Sequence, residues 1–498
     1  MIAPHSIIYF WKMKKNVFIA ILFFNVCHLF GQDYFFKRVD FDEQSNYPTL
    51  IFKYKNRFFS SISHFCYPQE CCSIVEFNAY GDTINRVVVP DIDPGFESMI
   101  IDNDTITLTG NNDRINTHFR MAHFDLDGKK LGPTMEIFHP TKKYERSFQL
   151  TTQKIGNLFY IMGSGNDDNF DYSLLYRVHY NGRLDTLFVM AKAENQSTVW
   201  DSDIDRDGNL VTFHKLEEPF KRRDWLEVIK YNENLDTIWK YTSEDSPNHL
   251  GGIKGASVEK GVVFNTYTDG ANHAKHSIRK VNSDKDTEII YQPNKVSTTQ
   301  RGFRRIKILK NGDILGMGAY QELATLPLVH SAPWIIRMSQ DGDIRWQRVF
   351  FDLDPSLNES RFGLVEDVIE MENGDLFGVA SIRYENTTSI VFKIDSNGCL
   401  DPNDCGILQI ITNSKDIQEA QGFRIYPNPA TNFVNIALEY KEGLSYILVD
   451  EVGRKITYGN LKENETSLDV SNVESGLYYI LLSYKGSIVG NKKVIINK

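Results

Sequence analysis

Residues 305–318 read RIKILKNGDILGMG, from Arg305 to Gly318, and this stretch decides the fold that the sequence predicts. Apolar and polar residues alternate on both sides of the pair Asn311-Gly312, as they do along half-buried strands. An Asn-Gly pair readily adopts the positive φ that a tight turn between two antiparallel strands requires. The stretch therefore predicts a β-hairpin.

Similar turns recur along the chain at intervals of about 50 residues, the last interval being longer. A Gly-rich or Asn-rich turn runs into an apolar strand at Asn56, Asn103, Gly156, Gly208, Gly261, Gly312 and Gly374. A second kind of turn follows half a repeat later, at Gly81, Gly128, Gly182, Asn234, Asp284, Gly342 and Gly398. Two hairpins per repeat give four short strands, which make one blade of a β-propeller, whereas a sandwich does not repeat its turns at constant spacing. Seven repeats predict seven blades.

The repeat is similar to the degenerate blades of known seven-bladed β-propellers, in which NGD before an apolar residue is followed by K-x-D-x-x-G-x-x-W. MSQDGDIRW (Met338 to Trp346) shows the second part best. We assign residues 33–410 to this all-β domain. YFFKRVDF (Tyr34 to Phe41) alternates like a strand before the first complete repeat, and we expect it to close the ring by joining the last blade near Ile390 to Ile394.

Length and composition agree with an all-β protein of more than one domain. The 498 residues exceed what one hydrophobic core usually serves, and the 24 Tyr and 32 Phe favour strands. A net charge of -10 without a basic stripe argues against nucleic acid as a partner.

The N-terminus predicts an export signal over residues 1–32. Lys14 and Lys15 precede the apolar run VFIAILFF (Val17 to Phe24), and small or polar residues follow. The signal starts either at Met1 or at Met13. The apolar run is short for a bilayer, so we expect no transmembrane segment in the mature chain.

Export would place the cysteines in an oxidising compartment, where thiols pair. Cys399 and Cys405 flank the turn-rich LDPND, which favours a local disulfide. In HFCYPQECC one pair among Cys66, Cys71 and Cys72 would leave one thiol over, and the pairing stays open.

The sequence shows no catalytic constellation. It contains neither a G-x-S-x-G elbow nor an H-E-x-x-H helix, and SQDGDIRW (Ser339 to Trp346) departs from a sialidase-type Asp box at the turn. One cluster of alternating carboxylates before Gly208 is a candidate calcium site, formed by Asp203, Asp205 and Asp207; a polar blade turn is the alternative. We expect no cofactor.

The C-terminal segment, residues 423–498, follows a polar linker at 411–422 and predicts a small β-sandwich. It closely resembles the type A sorting domain of substrates of the type IX secretion system. The matching positions in this sequence are Tyr426, Pro427, Asn428, Pro429, Asp450, Gly453, Gly476, Tyr478, Lys492 and Lys493.

This resemblance implies a protein of Bacteroidota that is secreted or held at the outer-membrane surface, with the secretion machinery and its sortase as partners. For the propeller we expect a non-catalytic binding or adhesion module with an extracellular glycan or protein as ligand, because no reacting constellation is visible. The alternative is a hydrolase or lyase of extracellular polysaccharide, with its acids in the propeller channel.

Overall fold

The computed structural model describes residues 34–498 except for 21 short gaps. These gaps are residues 40–45, 67–68, 93–98, 112–117, 139–145, 167–170, 190–195, 219–222, 244–252, 271–272, 293–301, 321–328, 353–360, 384–386, 401–404, 406–407, 412–422, 439–443, 451–454, 462 and 485–486. The predicted signal at 1–32 and most of the predicted linker lie outside the described residues.

Every regular element in the described part is a β-strand. Strand β1 (Phe35–Val39) precedes the first complete sheet. The first four blades are β2 (Asn46–Tyr54), β3 (Arg57–Cys66), β4 (Gln69–Phe77) and β5 (Thr83–Val89); β6 (Met99–Asp102), β7 (Thr105–Asn111), β8 (His118–Asp125) and β9 (Met135–Phe138); β10 (Arg146–Ile155), β11 (Leu158–Asn166), β12 (Asp171–His179) and β13 (Leu184–Val189); β14 (Gln196–Ile204), β15 (Leu210–Glu218), β16 (Arg223–Tyr231) and β17 (Thr237–Thr242).

The remaining three blades complete the ring. They are β18 (Gly255–Val258), β19 (Gly261–Gly270), β20 (His273–Asn282) and β21 (Thr287–Tyr291); β22 (Phe303–Ile308), β23 (Ile314–Tyr320), β24 (Val329–Met338) and β25 (Ile344–Asp352); β26 (Arg361–Glu370), β27 (Leu376–Arg383) and β28 (Thr387–Ile394). Within each blade, consecutive strands are antiparallel neighbours. The all-β propeller prediction is confirmed.

The ring closes as the sequence predicts. Strand β1 pairs antiparallel with β28 and supplies the fourth strand of the seventh blade, with Phe35 opposite Lys393 and Val39 opposite Ser389. Phe35 packs edge-on against Phe377 of the same blade, with ring centroids 5.8 Å apart. The beginning and the end of the propeller are therefore held together by main-chain hydrogen bonds, which leave no open edge at this point.

The turns lie where the repeats place them. All seven predicted turns of the first kind contain a positive φ at the named residue, for example 62° at Asn56 and 88° at Gly312. In the second kind, five named glycines have positive φ, but in the fourth and fifth blades the left-handed residue is Leu235 or Lys285, one position after the predicted Asn234 or Asp284. In both turns the backbone amide of the left-handed residue donates to the carbonyl three positions earlier, Leu235 to Asn232 and Lys285 to Asn282. The positive φ therefore falls on the fourth residue of the turn.

A further strand, β29 (Leu408–Ile411), adds parallel to the outer edge of β25 in the sixth blade. It follows the disulfide between Cys399 and Cys405, whose Cα atoms are 5.2 Å apart, as the sequence predicts. Ile411, the first residue of the predicted linker, thus ends a strand.

The C-terminal region forms two facing sheets. Their strands are β30 (Arg424–Tyr426), β31 (Phe433–Ala437), β32 (Leu444–Asp450), β33 (Lys455–Asn460), β34 (Glu465–Asp469), β35 (Gly476–Tyr484) and β36 (Ser487–Ile496). One sheet has the order β30-β31-β34 and the other β33-β32-β35-β36. Between them lies an apolar core that includes Val434, Leu448, Ile480 and Val494. Among the described residues, no helix offers the length and apolar character needed to cross a membrane.

Candidate functional site: the central channel and the C-terminal domain

The first strand of each blade faces the axis of the propeller. In five of these strands, β2, β10, β14, β22 and β26, the pairing with the next strand slips by one residue at an equivalent place. The residues that follow the slip are Leu50, Thr151, Asp201, Arg305 and Asp367, and all but Thr151 line the central channel. Such bulges re-aim side chains, and here they occur at the same place in blade after blade.

The first strands of all seven blades enclose a cavity of about 1100 Å³. Six carboxylates line it, belonging to Asp201, Asp203, Asp205, Asp367, Glu370 and Glu372. Seven basic side chains line it as well, belonging to Lys53, Lys55, Lys154, Arg206, Arg305, Lys307 and Lys310. The channel is therefore highly charged but carries both signs.

The carboxylates of the fourth blade tie it to the fifth. Asp201 accepts a hydrogen bond from the Gly255 amide at 2.8 Å, and Asp203 accepts one from the Ser257 amide at 2.7 Å. Lys254 lies 3.6 Å from the second oxygen of Asp201. These acids serve as fasteners between adjacent first strands.

On the other side of the channel, the carboxylates of the seventh blade tie it to the first and sixth blades. Asp367 is fully buried and accepts a hydrogen bond from the Ile51 amide at 3.0 Å. Its other oxygen lies 2.6 Å from Lys307 Nζ and 3.3 Å from Arg305 Nε. Glu370 accepts a hydrogen bond from the backbone amide of Lys310 at 2.7 Å. Glu372 pairs with Lys53 at 2.9 Å.

The candidate calcium residues do not converge. Asp205 accepts the amides of Asp207 and Asn209 at 2.9 and 2.8 Å and pairs with Lys230. Burial alone would raise the pKa of Asp205, but Lys230 and Asn209 together hold the pKa below its usual value. Asp203 points instead to the fifth blade. Among the described residues, no group of three or more His, Cys, Asp and Glu is arranged to hold a metal. The geometry is that of a polar blade turn.

A smaller cavity of about 430 Å³ lies between the fourth and fifth blades. Trp239 lines it, and its indole N–H donates to the Ser283 carbonyl at 3.0 Å, which fixes the ring. Lys260 and Glu259 stand at its side, and Ile238 is largely exposed. Sequence reasoning missed this groove because its residues come from two neighbouring repeats.

The segment that resembles an Asp box has a structural role. Ser339 Oγ accepts the amide of Asp343 at 3.0 Å and so closes the turn. Trp346 is buried, and its indole N–H donates to the Ser396 carbonyl at 3.1 Å. The segment joins the sixth blade to the seventh.

In the part of the chain that the structure describes, the cysteines lie in two places. Arg348 donates to Cys405 Sγ at 3.0 Å and to the Asn397 carbonyl at 2.7 Å, which fixes the disulfide loop on the sixth blade. Cys71 also belongs to a disulfide, and its sulfur lies 3.2 Å from Nδ1 of the buried His64.

The Tyr-Pro-Asn-Pro motif of the C-terminal domain clamps the last strand. Asn428 donates to the Lys493 carbonyl at 2.9 Å and accepts from the Ile495 amide at 2.9 Å. Tyr426 donates to Glu465 at 2.5 Å. Both peptide bonds that precede Pro427 and Pro429 are cis. The motif therefore joins the two sheets at their edge.

The other motif residues are dispersed over this domain. Tyr478 is buried and donates to the Glu474 carbonyl at 2.9 Å, next to Gly476. Asp450 is buried at the end of β32, whereas Lys492 and Lys493 are exposed. Gly453 lies outside the described residues. The motif thus combines fold residues with an exposed basic pair.

Comparison with known proteins identifies the C-terminal domain. Residues 424–497 match the family described as the secretion system C-terminal sorting domain, which confirms the resemblance found in the sequence. No curated protein matches the chain in sequence.

Solved structures are similar to this chain only distantly. The polysaccharide lyase Uly1 has a TM-score of 0.45 at 11% identity, covering 70% of this chain and 90% of that one. A sialidase of Trypanosoma rangeli has a TM-score of 0.42 at 10% identity, covering 92% and 89%. An endo-arabinase of Bacteroides thetaiotaomicron has a TM-score of 0.32 at 8% identity, covering 49% and 94%. None of these similarities bears on what the propeller binds or catalyses.

Proposed function

Because its sorting domain makes this chain a substrate of the type IX secretion system, and hence a secreted or cell-surface protein, we propose that its propeller is a non-catalytic binding module. One observation carries the proposal. Each of the six channel carboxylates already accepts a hydrogen bond from a backbone amide or pairs with a basic side chain.

A polysaccharide hydrolase needs one carboxyl group that keeps its proton and another that attacks or activates water. The acids of this channel are used differently. Asp367 and Asp201 each hold the first strand of the next blade, and a change of protonation there would weaken the ring. Asp205 has a lowered pKa, which is the wrong direction for a general acid.

We assign the ligand, an extracellular glycan or protein, to the groove beside Trp239. Its volume of about 430 Å³ falls within the range of ligand pockets, roughly 300 to 1,000 Å³. A fixed aromatic ring with charged groups at its side offers both an apolar face and polar partners to a ligand.

The test measures binding and turnover on the same protein. We expect binding on a glycan array or to an extracellular protein without release of reducing ends or unsaturated products from polysaccharides. Lys260→Glu should weaken binding, whereas Lys129→Glu, at an exposed turn of the second blade, should not. Turnover that is present in the natural protein and lost in a folded Asp203→Asn variant would favour the hydrolase or lyase instead.

We also propose that the sorting domain is removed during secretion, within residues 411–422. This polar segment lacks aromatic residues and connects two β-rich units. The intact mass of the protein outside a native host should correspond to a C-terminus in that segment. A chain that still reaches Lys498 outside the cell would contradict removal.

A further inference from the structure

The two central strands of the larger sorting-domain sheet are apolar on both faces. Along β35, Tyr478, Ile480 and Leu482 point into the sandwich core. Tyr479 and Leu481 point the opposite way, yet only 2% and 1% of their surfaces remain exposed. In a free sandwich this outer face would meet water, so its burial requires a cover.

The cover is the propeller. Val449, Tyr479 and Leu481 share one apolar cluster with residues of the fifth and sixth blades, among them Val349 on β25. Ile447 and Leu477 pack against the same cluster. We call these five sorting-domain side chains, Ile447, Val449, Leu477, Tyr479 and Leu481, the docking face.

Tyr479 lies close enough to Arg348 of the sixth blade to affect its pKa. Burial lowers the pKa of Arg348, and the nearby groups Asp395 and Tyr479 act in the opposite direction. Arg348 is the residue that holds the Cys399–Cys405 disulfide loop. The docking face therefore meets the propeller beside that loop and the strand β25.

The edge strands of the same sheet form the rim of the contact. Tyr458 on β33 lies opposite Ile447, and Ile495 on β36 lies opposite Leu477. These two side chains keep 68% and 43% of their surfaces exposed. A buried apolar centre with an exposed rim is the anatomy of a specific interface.

We propose that the sorting domain docks on the fifth and sixth blades through the docking face, so that cutting the linker alone does not release it. While it is docked, no other protein can contact the docking face. Release of the propeller then requires undocking in addition to cleavage. This inference is independent of what the propeller binds.

The test uses the full chain with a protease site introduced within residues 412–422. After complete cleavage, the two fragments should co-elute in size-exclusion chromatography. In the Tyr479→Ala chain they should separate, because loss of a central aromatic anchor commonly weakens an interface by roughly 30-fold or more. Tyr458→Ala, a change of the same kind at the rim, should weaken the association by less than about threefold.

Circular dichroism of the separated fragments checks that each is folded. Val449→Thr provides a second variant that keeps the β-branched shape and adds a buried hydroxyl to the docking face, and it should also promote separation. Fragments of the natural sequence that separate on cleavage would overturn the proposal. So would co-elution of the cleaved Tyr479→Ala and Val449→Thr chains with unchanged affinity.

Discussion

The junction that closes the ring and the junction between the third and fourth blades join equivalent strands by different chemistry. At the closure, Asp367 accepts the Ile51 amide at 3.0 Å, and Lys53 pairs with Glu372 at 2.9 Å. Between the third and fourth blades, the hydroxyls of Thr151 and Ser202 lie 2.9 Å apart. Charged groups join the seventh blade to the first, as they also join the fourth blade to the fifth, whereas neutral hydroxyls join the third blade to the fourth.

The two kinds of junction differ in the strength of their bonds and not in the separation of the joined strands along the chain, since the charged Asp201–Gly255 contact and the neutral Thr151–Ser202 contact span 54 and 51 positions. A hydrogen bond to a charged group contributes about 1.5–3 kcal/mol, compared with about 0.5–1.5 kcal/mol for a neutral one. We therefore expect Asp367 at the closure to contribute more to stability than the hydroxyl pair between the third and fourth blades.

Removing the closing strand is the severest way to break the closure. Deletion of residues 33–42 takes away β1 and exposes the edge of β28, so we expect the whole propeller to lose its cooperative melting. Circular dichroism during heating measures this. Deletion of residues 1–32 alone is the control and should leave melting unchanged. A chain without residues 33–42 that melts like the control would refute the role of β1.

The second largest effect is expected when the charge of Asp367 is removed at the junction between the seventh and first blades. Asp367→Asn keeps the shape of the side chain but leaves Lys307 and Arg305 without their buried counter-charge. We expect a loss of about 3–5 kcal/mol in the free energy of unfolding, as for other broken buried ion pairs. Urea denaturation at neutral pH is the measurement. A loss under about 1 kcal/mol would show that the closure does not depend on this carboxylate.

The repeats of turn residues allowed the seven blades and the ring closure to be predicted, because positive φ and strand alternation are local properties. The sorting domain was recognisable from its motif residues. The side chains of the channel were not predictable, since a bulge ahead of Asp201, Arg305 and Asp367 shifts which residues face the axis. No single-sequence pattern reveals that slip.

The docking face had a signal that was available in the sequence. The runs YILV (Tyr446 to Val449) and LYYILL (Leu477 to Leu482) are continuously apolar, and such runs are typical of strands buried on both sides. Their partner could not be predicted, because contacts between separate domains depend on the folded surface of each.

Acid should destabilise the fourth blade through His214. This histidine is fully buried on β15, with Nε2 2.6 Å from the Thr212 hydroxyl, and burial lowers its pKa to about 3. A histidine unfolded in water has a pKa of about 6.5, so protonation favours the unfolded chain. Its contribution is complete above pH of about 6.5 and is lost as the pH falls toward 3, at up to about 1.4 kcal/mol per pH unit.

The measurement compares urea unfolding of the natural chain and of His214→Gln between pH 7 and pH 4.5. Glutamine does not titrate in this range, so the variant should lose less stability on acidification than the natural chain. Parallel pH dependence of the two chains would contradict a buried neutral His214.

The smallest effect is expected at the hydroxyl pair itself. Thr151→Val keeps the volume and the β-branched shape but removes the hydroxyl that meets Ser202 Oγ, so we expect a loss of about 1 kcal/mol. Adding Ser202→Ala should recover part of that loss, because no buried hydroxyl then remains without its partner. Urea denaturation of the two single variants and the double variant yields the coupling energy between the hydroxyls. A loss at Thr151 as large as that at Asp367 would contradict the expectation that the charged junction is held more strongly than the neutral one.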